Sequence, residues 1–313
     1  MATLKEIRRR IVSVKNTQKI TKAMKLVSAA KFARANAAIR GATPYGQAID
    51  RLLAQVSASA NLESLPVFQQ RTESRILVMV VASDRGLCGA LNTNVAKASN
   101  RFLREKAEAG VAIDLLLLGK KVDQVYGKQA RGDIGKNILK LRNTASIKVV
   151  ATHQRVVESP DFSFADTLAK TFANEFAEKY DAVYAVYPEF RSALSQNPRV
   201  DRILPIVAEP ALADPSIPSQ GVKSSQSGGG DYLVKPSTDE VVRALVSRQI
   251  SNKVFRVILN AAASEHGARM TAMDSATNNA REVILKLTLD YNRGRQAAIT
   301  TELIEITSGA SAL

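Results

Sequence analysis

Apolar residues recur every three or four positions at both ends of the chain and gather into short unbroken runs between them. Leu4, Ile7, Ile11 and Val14 follow a 3-4-3 spacing, and Met24 and Val27 resume it after Gln18 and Thr21 interrupt the seam. Toward the other end Ile250, Val254, Val257 and Ala261 are spaced 4-3-4, and Ala276, Ala280, Val283, Leu287, Tyr291, Gly294 and Ala298 continue in steps of three or four. Such stripes are helical seams of the coiled-coil kind. The breakers agree: all ten prolines lie between Pro44 and Pro236, and residues 1–40 contain neither proline nor glycine. Helices over roughly 3–57 and 238–307 have lengths on the order of 80 and 100 Å at 1.5 Å per residue, more than a compact domain can enclose. They must protrude. Antiparallel pairing of the two ends covers both stripes, because a compact middle returns the chain close to where it left. The alternative is that the helices fold back into an ordinary bundle.

Between the stripes the period changes. Arg75–Ala82 (RILVMVVA) is a strand-like run that ends in Ser83-Asp84-Arg85-Gly86, and a helical stretch follows from about Gly89 to Ala109. Val111–Leu118 (VAIDLLLL) ends at Gly119, and further helices are expected near 120–129 and 163–180, with strands near 147–150, Ala182–Tyr187 and Ile203–Val207. Apolar strands alternating with helices predict a mostly parallel sheet covered on both faces. Residues 211–231 (ALADPSIPSQGVKSSQSGGGD) are rich in Pro, Ser and Gly and read as a disordered loop or linker.

Composition narrows the chemistry. The 313 residues contain 45% hydrophobic and 23% charged side chains, ordinary globular usage and enough for about two structural units. One cysteine, Cys88, excludes an internal disulfide and a multi-cysteine metal site, and points to a reducing compartment. No apolar run reaches the roughly 18 residues needed to span a bilayer, and Met1 to Arg10 lacks the apolar core of a secretory signal. The expectation is a soluble protein without membrane insertion.

A catalytic constellation is not legible. Gly86-Leu87-Cys88-Gly89 stands where many α/β proteins hold phosphate, but it matches neither phosphate-binding glycine motif and reads as a tight strand-to-helix turn. The two histidines, His153 and His266, form no local motif with Cys88, which reads as a structural thiol. Asp84, Asp114, Asp123 and Asp133 lack metal-ligand spacing. No cofactor is expected.

The charge is more pointed. Lys and Arg number 44 against 29 acids, a net of +15, and residues 1–40 alone hold 11 basic residues and one acid. Lys5, Arg8, Lys15, Lys19 and Lys22 fall within an arc of about 100° on a helical wheel, a one-sided basic face. An acidic protein surface fits it. Nucleic acid is the competing reading, weakened by the lack of aromatic interleaving, and a membrane surface is a third, weakened by the lack of bulky aromatic anchors.

Four segments carry a resemblance: Leu4–Lys31 (LKEIRRRIVSVKNTQKITKAMKLVSAAK), Ser83–Asn92 (SDRGLCGALN), Ser264–Ala280 (SEHGARMTAMDSATNNA) and Arg295–Ala310 (RQAAITTELIEITSGA). In this order they resemble the gamma subunit of the F-type ATP synthase over nearly the whole chain. The stretch 211–231 departs from that pattern by being longer than in a typical member. The resemblance implies an α/β protein with long terminal helices, in which an antiparallel coiled coil joins a mostly parallel, Rossmann-like sheet. It divides the chain into a coiled-coil helix at 1–60, an α/β foot domain at 70–210, a flexible loop or linker at 211–236 and a second coiled-coil helix at 237–313.

In that family the shaft turns inside three alpha and three beta subunits, and the foot stands on the membrane c-ring beside epsilon. The resemblance implies these partners, an inhibitor protein as a further one, and no nucleic acid. The implied role is a rotor shaft without an active site of its own, peripheral on the cytoplasmic side of a bacterial inner membrane. Contacts with the beta loops carry over to Arg295 and Gln296, with Met24, Arg269, Thr300 and Glu302 on the adjoining shaft surface. A cation placed at Met24 is expected to lie near Glu302. The basic face is expected to meet acidic beta loops, and Ala29, Ala30, Ala33, Ala297 and Ala298 with the tip Gly309–Leu313 suit a smooth apolar sleeve.

Overall fold

The computed structural model describes residues 3–57, 65–127, 134, 146–176, 178–206 and 238–311. The linker expected over 211–236, the strand end at Val207, the helix end at 128–129, Asp133 and the tip residues Ala312 and Leu313 lie outside the described residues. In chain order the elements are α1 (Leu4–Ser57), a 3-10 turn (Pro66–Phe68), β1 (Arg75–Val81), α2 (Leu91–Glu108), β2 (Ala112–Leu118), a short α3 (Lys120–Val122) that runs into a π turn (Asp123–Gly127), β3 (Ile147–His153), α4 (Phe162–Glu175), β4 (Ala182–Phe190), β5 (Gln196–Leu204) and α5 (Thr238–Ser311).

The strands form one sheet in the order β3-β2-β1-β4-β5. The first four are parallel and β5 is antiparallel to β4. β1 and β2 are buried along almost their whole length, which is why they read as unbroken apolar runs. One face, with Ile76, Val78, Val80, Ile113, Leu115 and Leu117, packs against Val95, Leu103 and Ala107 of α2. The other, with Leu77, Met79, Val81, Leu116 and Leu118, packs against Leu168 and Phe172 of α4 and Val246, Ile250, Val254, Val257 and Ala261 of α5. α5 is therefore both a covering layer of the foot and half of the shaft. Gly119 ends β2 at φ 108°, with the Ala82 carbonyl so close that a Cβ would collide with it.

β5 begins at Gln196 instead of Ile203. It is a half-exposed edge strand carrying Pro198, Arg199, Asp201 and Arg202, and its alternation hides it from a search for apolar runs. β3 extends to His153, beyond the expected 147–150, and the helix expected over 163–180 ends at Glu175.

α1 has 54 residues and α5 has 74. A capping box starts α1: Thr3 N–H donates to Glu6 Oε2 at 2.9 Å and Glu6 N–H to Thr3 Oγ1 at 3.3 Å. The helix passes through Pro44, which is exposed while Gly46 and Ile49 beyond it are buried. Packing holds the helix across the missing backbone bond.

The two helices pair antiparallel, so the fold-back bundle is not what forms. Leu4 lies against Gly294, Thr21 Oγ1 is 2.8 Å from Thr277 Oγ1, Lys25 Nζ is 2.6 Å from Asp274 Oδ1, Gly46 touches Asn252, and Gln249 Nε2 donates to Asp50 Oδ1 at 2.9 Å. Steps along α1 are matched by equal steps back along α5, so the register does not slip. The seam also differs from the apolar reading. It runs without interruption through Gln18, Thr21, Lys25 and Ser28, while Val27 is 59% exposed. On α5, Thr277 and Ile284 line it, and Val283 is 43% exposed. Polar residues keep the heptad spacing where apolar ones are missing.

Candidate functional site

In a doubly wound sheet the ligand crevice opens at the carboxyl ends of neighbouring strands where the chain order reverses, here between β1 and β4. α5 walls that crevice, leaving a cavity of about 360 Å³ between Cys88–Leu91, Ala193–Asn197 and the Ala268–Ser275 side of the helix. Asn260 Oδ1 accepts from Phe190 N–H at 3.3 Å, Ser264 Oγ donates to Pro188 O at 3.0 Å, and Thr271 Oγ1 donates to Ala193 O at 3.0 Å. Arg269 reaches the loop after β1, donating from Nε to Gly86 O and from Nη2 to Arg85 O, both at 3.2 Å. Its Nη2 also lies 2.6 Å from Glu265 Oε1, and the two side chains are 8% and 2% exposed. Lower down, Ser251 Oγ donates to Asp166 Oδ1 at 2.7 Å and Lys253 Nζ to Arg202 O at 2.5 Å.

Burial sets the protonation of this junction. It pushes the Glu265 carboxyl up, against the pull of Arg269, and it pushes Lys253 down. His266 is lowered to about 4, first by burial and then by the Arg269 charge. Arg269 Nη1 sits 3.4 Å from His266 Nδ1, and since a guanidinium only donates, that nitrogen accepts and His266 is neutral.

The Gly86–Gly89 segment is a tight turn, with Leu87 at φ 62° and Gly89 at φ 58°. Cys88 is 2% exposed, and its Sγ accepts from Asn92 Nδ2 at 3.2 Å. His153 packs edge-on against Phe164 at 5.1 Å. Asp84 Oδ1 accepts from Lys120 and Arg155 N–H at 3.1 and 2.8 Å, tying three strand ends together. Among the described residues no group of three or more His, Cys, Asp or Glu could hold a metal ion.

The expected surface residues divide. Lys5, Arg8, Lys15, Lys19 and Lys22 are all exposed on α1. Arg295, Gln296, Thr300 and Glu302 are exposed within two turns of α5. Arg269 departs from the expectation: its buried guanidinium faces the foot and not the outer surface. Met24 sits beside the Lys25–Asp274 pair, so Glu302 is farther along the shaft by roughly 40 Å at 1.5 Å per residue. A cation at Met24 therefore does not approach Glu302. The junction residues Asn260, Ser264, Glu265 and Thr271 escape a sequence search for chemistry. Ser264, Glu265 and Thr271 fall within the resemblance segment Ser264–Ala280, but the sequence signals no contact with the foot beyond Glu265 and Arg269 standing at i,i+4.

Because α1 begins opposite Gly294, α5 runs on beyond it without a partner helix among the described residues. Ile299, Leu303, Ile304 and Ile306 are 48%, 57%, 59% and 67% exposed there. A two-helix shaft with an apolar-studded end, rooted through α5 in an α/β foot, is the build of a stalk protein. A family model described as ATP synthase matches residues 3–313, and the ATP synthase gamma chain of Geobacter metallireducens is 42% identical over 314 residues, covering 100% of this chain and 99% of that one. The chain belongs to the ATP synthase gamma-chain family, a subunit of the complex and not its catalytic chain. The gamma chain of Erythrobacter litoralis is 39% identical, with both chains fully covered. Two solved structures of Euglena gracilis mitochondrial ATP synthase share the fold at 18% identity. One, of the rotor, has a TM-score of 0.58 over 95% of this chain and 98% of that one. The other, of the OSCP/F1/c-ring portion, has a TM-score of 0.62 over 99% of this chain and 94% of that one.

Proposed function

We propose that the chain is the central rotor shaft of a proton-driven ATP synthase, linking rotation of a membrane c-ring to the conformations of the catalytic beta subunits. The observation that carries this reading is the apolar-studded end of α5, whose isoleucines and leucine are exposed and have no partner helix among the described residues. A bore formed by three alpha and three beta subunits covers such a surface and lets it turn, since smooth apolar contact adheres without directional bonds. Epsilon and the c-ring engage the foot, and an inhibitor protein is a further partner. None of the described helices is long and apolar enough to cross a membrane, which supports peripheral attachment, on the cytoplasmic side of a bacterial inner membrane.

The mechanism requires asymmetry. A shaft that contacted three catalytic subunits equally would shift none of them, whatever its affinity. The coil offers the basic face of α1 on one side and the mixed surface of α5 on the other, so rotation changes which beta subunit meets which face. Arg295 and Gln296, with Thr300 and Glu302 beside them, contact the beta loops. Lys5, Arg8, Lys15, Lys19 and Lys22 steer acidic loops through hydrated pairs that are individually weak. Replacing Arg295→Ala and Gln296→Ala together is expected to lower ATP turnover of the reconstituted complex while the subunit still assembles. Unchanged turnover would remove both residues from the contact site.

A further inference from the structure

We propose that torque passes between foot and shaft through α5, at the junction keyed by Arg269, and that α1 is carried by α5 instead of being driven by the foot directly. The inference rests on the rotor reading above. Its basis is an inequality between the two helices. α5 supplies a layer of the foot's core and bonds to it at Lys253, Asn260, Ser264, Arg269 and Thr271. These bonds run from the middle of the sheet to its carboxyl edge, so rotation of the foot about the shaft axis loads them together.

α1 has much less. Among the described residues its polar contact with the foot is Lys31 Nζ to Glu158 Oε1 at 3.6 Å, with both side chains partly in water. Phe32 meets Phe190 at 5.3 Å between ring centres, and Ala35 and Leu53 add apolar packing. Apolar contacts resist separation but slide easily, because they have no preferred direction. Hydrogen bonds from a buried guanidinium to two fixed carbonyls resist displacement in any direction, and their loss strands a buried charge. Arg269 is thus a positioning residue: it touches no substrate, and it fixes the Ser83–Gly89 loop to the turning helix.

The test uses the complete complex in proton-tight vesicles, reconstituted with this chain, and compares ATP hydrolysis with ATP-driven proton pumping. Hydrolysis by the hexamer needs only the coil to turn, whereas pumping needs the foot to turn with it. Arg269→Gln is expected to keep hydrolysis but to lower pumping per ATP by about tenfold or more, the effect of losing one charged hydrogen-bonding group. Lys31→Ala is expected to leave both unchanged. A covalent tie restores the link. A Cβ at Gly267 lies 3.6 Å from Ala193 Cα, within disulfide reach. Ala193→Cys with Gly267→Cys, oxidised in an Arg269→Gln, Cys88→Ala background, is therefore expected to recover pumping.

Full pumping by Arg269→Gln, or equal damage from Lys31→Ala, would overturn the proposal. Should Arg269→Gln fail to assemble, Ser264→Ala with Thr271→Ala strips the same face more gently, and undiminished pumping there would overturn it as well. A wild-type chain that supports no pumping would instead count against the rotor reading.

Discussion

At His266 burial decides the chemistry. The ring is held neutral beneath the loop after β1, with its proton-accepting affinity lowered to about 4. Arg269, Lys31 and Arg85 oppose its charging and Glu158 favours it. In the unfolded chain the ring takes up a proton near pH 6.5. The folded state therefore keeps this contribution above that pH and loses it as pH falls toward 4, with a full loss of about 3 kcal/mol. Glu265, whose carboxyl is pushed up, works in the opposite direction. His266→Gln is expected to flatten the acid limb of the melting profile between those pH values, leaving the neutral-pH melting point nearly unchanged. An acid limb as steep as that of the wild type would rule out the histidine as its cause. Arg269 marks the limit of reading at this scale. A motif puts it in the company of shaft residues, but only the fold reveals that its side of the helix meets Gly86 and Arg85.

The two long helices were the most legible elements, because proline and glycine are sparse in them and apolar residues keep step. The buried strands followed from their unbroken runs. β5 escaped because an edge strand alternates and carries charge. The polar stretch of the seam escaped because hydrophobicity was the signal and spacing the cause: Thr21 and Thr277 meet at 2.8 Å in heptad positions. Each hydroxyl also has a helix carbonyl of its own, at Gln18 and Met273. The double change Thr21→Val with Thr277→Val is thus expected to raise coil stability, since neither replacement leaves a buried group unpaired, and a lowered melting point would contradict this. Space discriminates equally well between two glycines. At Gly294 an added Cβ comes to 3.1 Å from the flexible end of Leu4, whereas at Gly46 it collides with the Asn252 amide. Gly294→Ala is expected to stabilise by up to about 1 kcal/mol through helix propensity, and Gly46→Ala to destabilise by about 1–3 kcal/mol through overpacking. Denaturant midpoints of the two variants should move in opposite directions.

For the whole molecule, the lone end of α5 is separable from everything that holds the fold. Its described side chains from Ile299 to Ser308 are all exposed. Ending the chain at Ala298 is expected to leave the unfolding midpoint of the isolated subunit unchanged while lowering coupled turnover of the complex. A destabilised subunit would mean that this end supports the fold after all.

The double duty of α5, sheet layer and shaft strand at once, also imposes an order of events during synthesis. While the ribosome is still making residues before Thr238, part of one side of the sheet and the stripe of α1 remain uncovered. Nascent chains of this kind are sticky, since their apolar faces wait for a segment not yet made. Polypeptides released before that point should need chaperones or aggregate. The earlier helix and the later one must find each other before either is safe from the wrong neighbour.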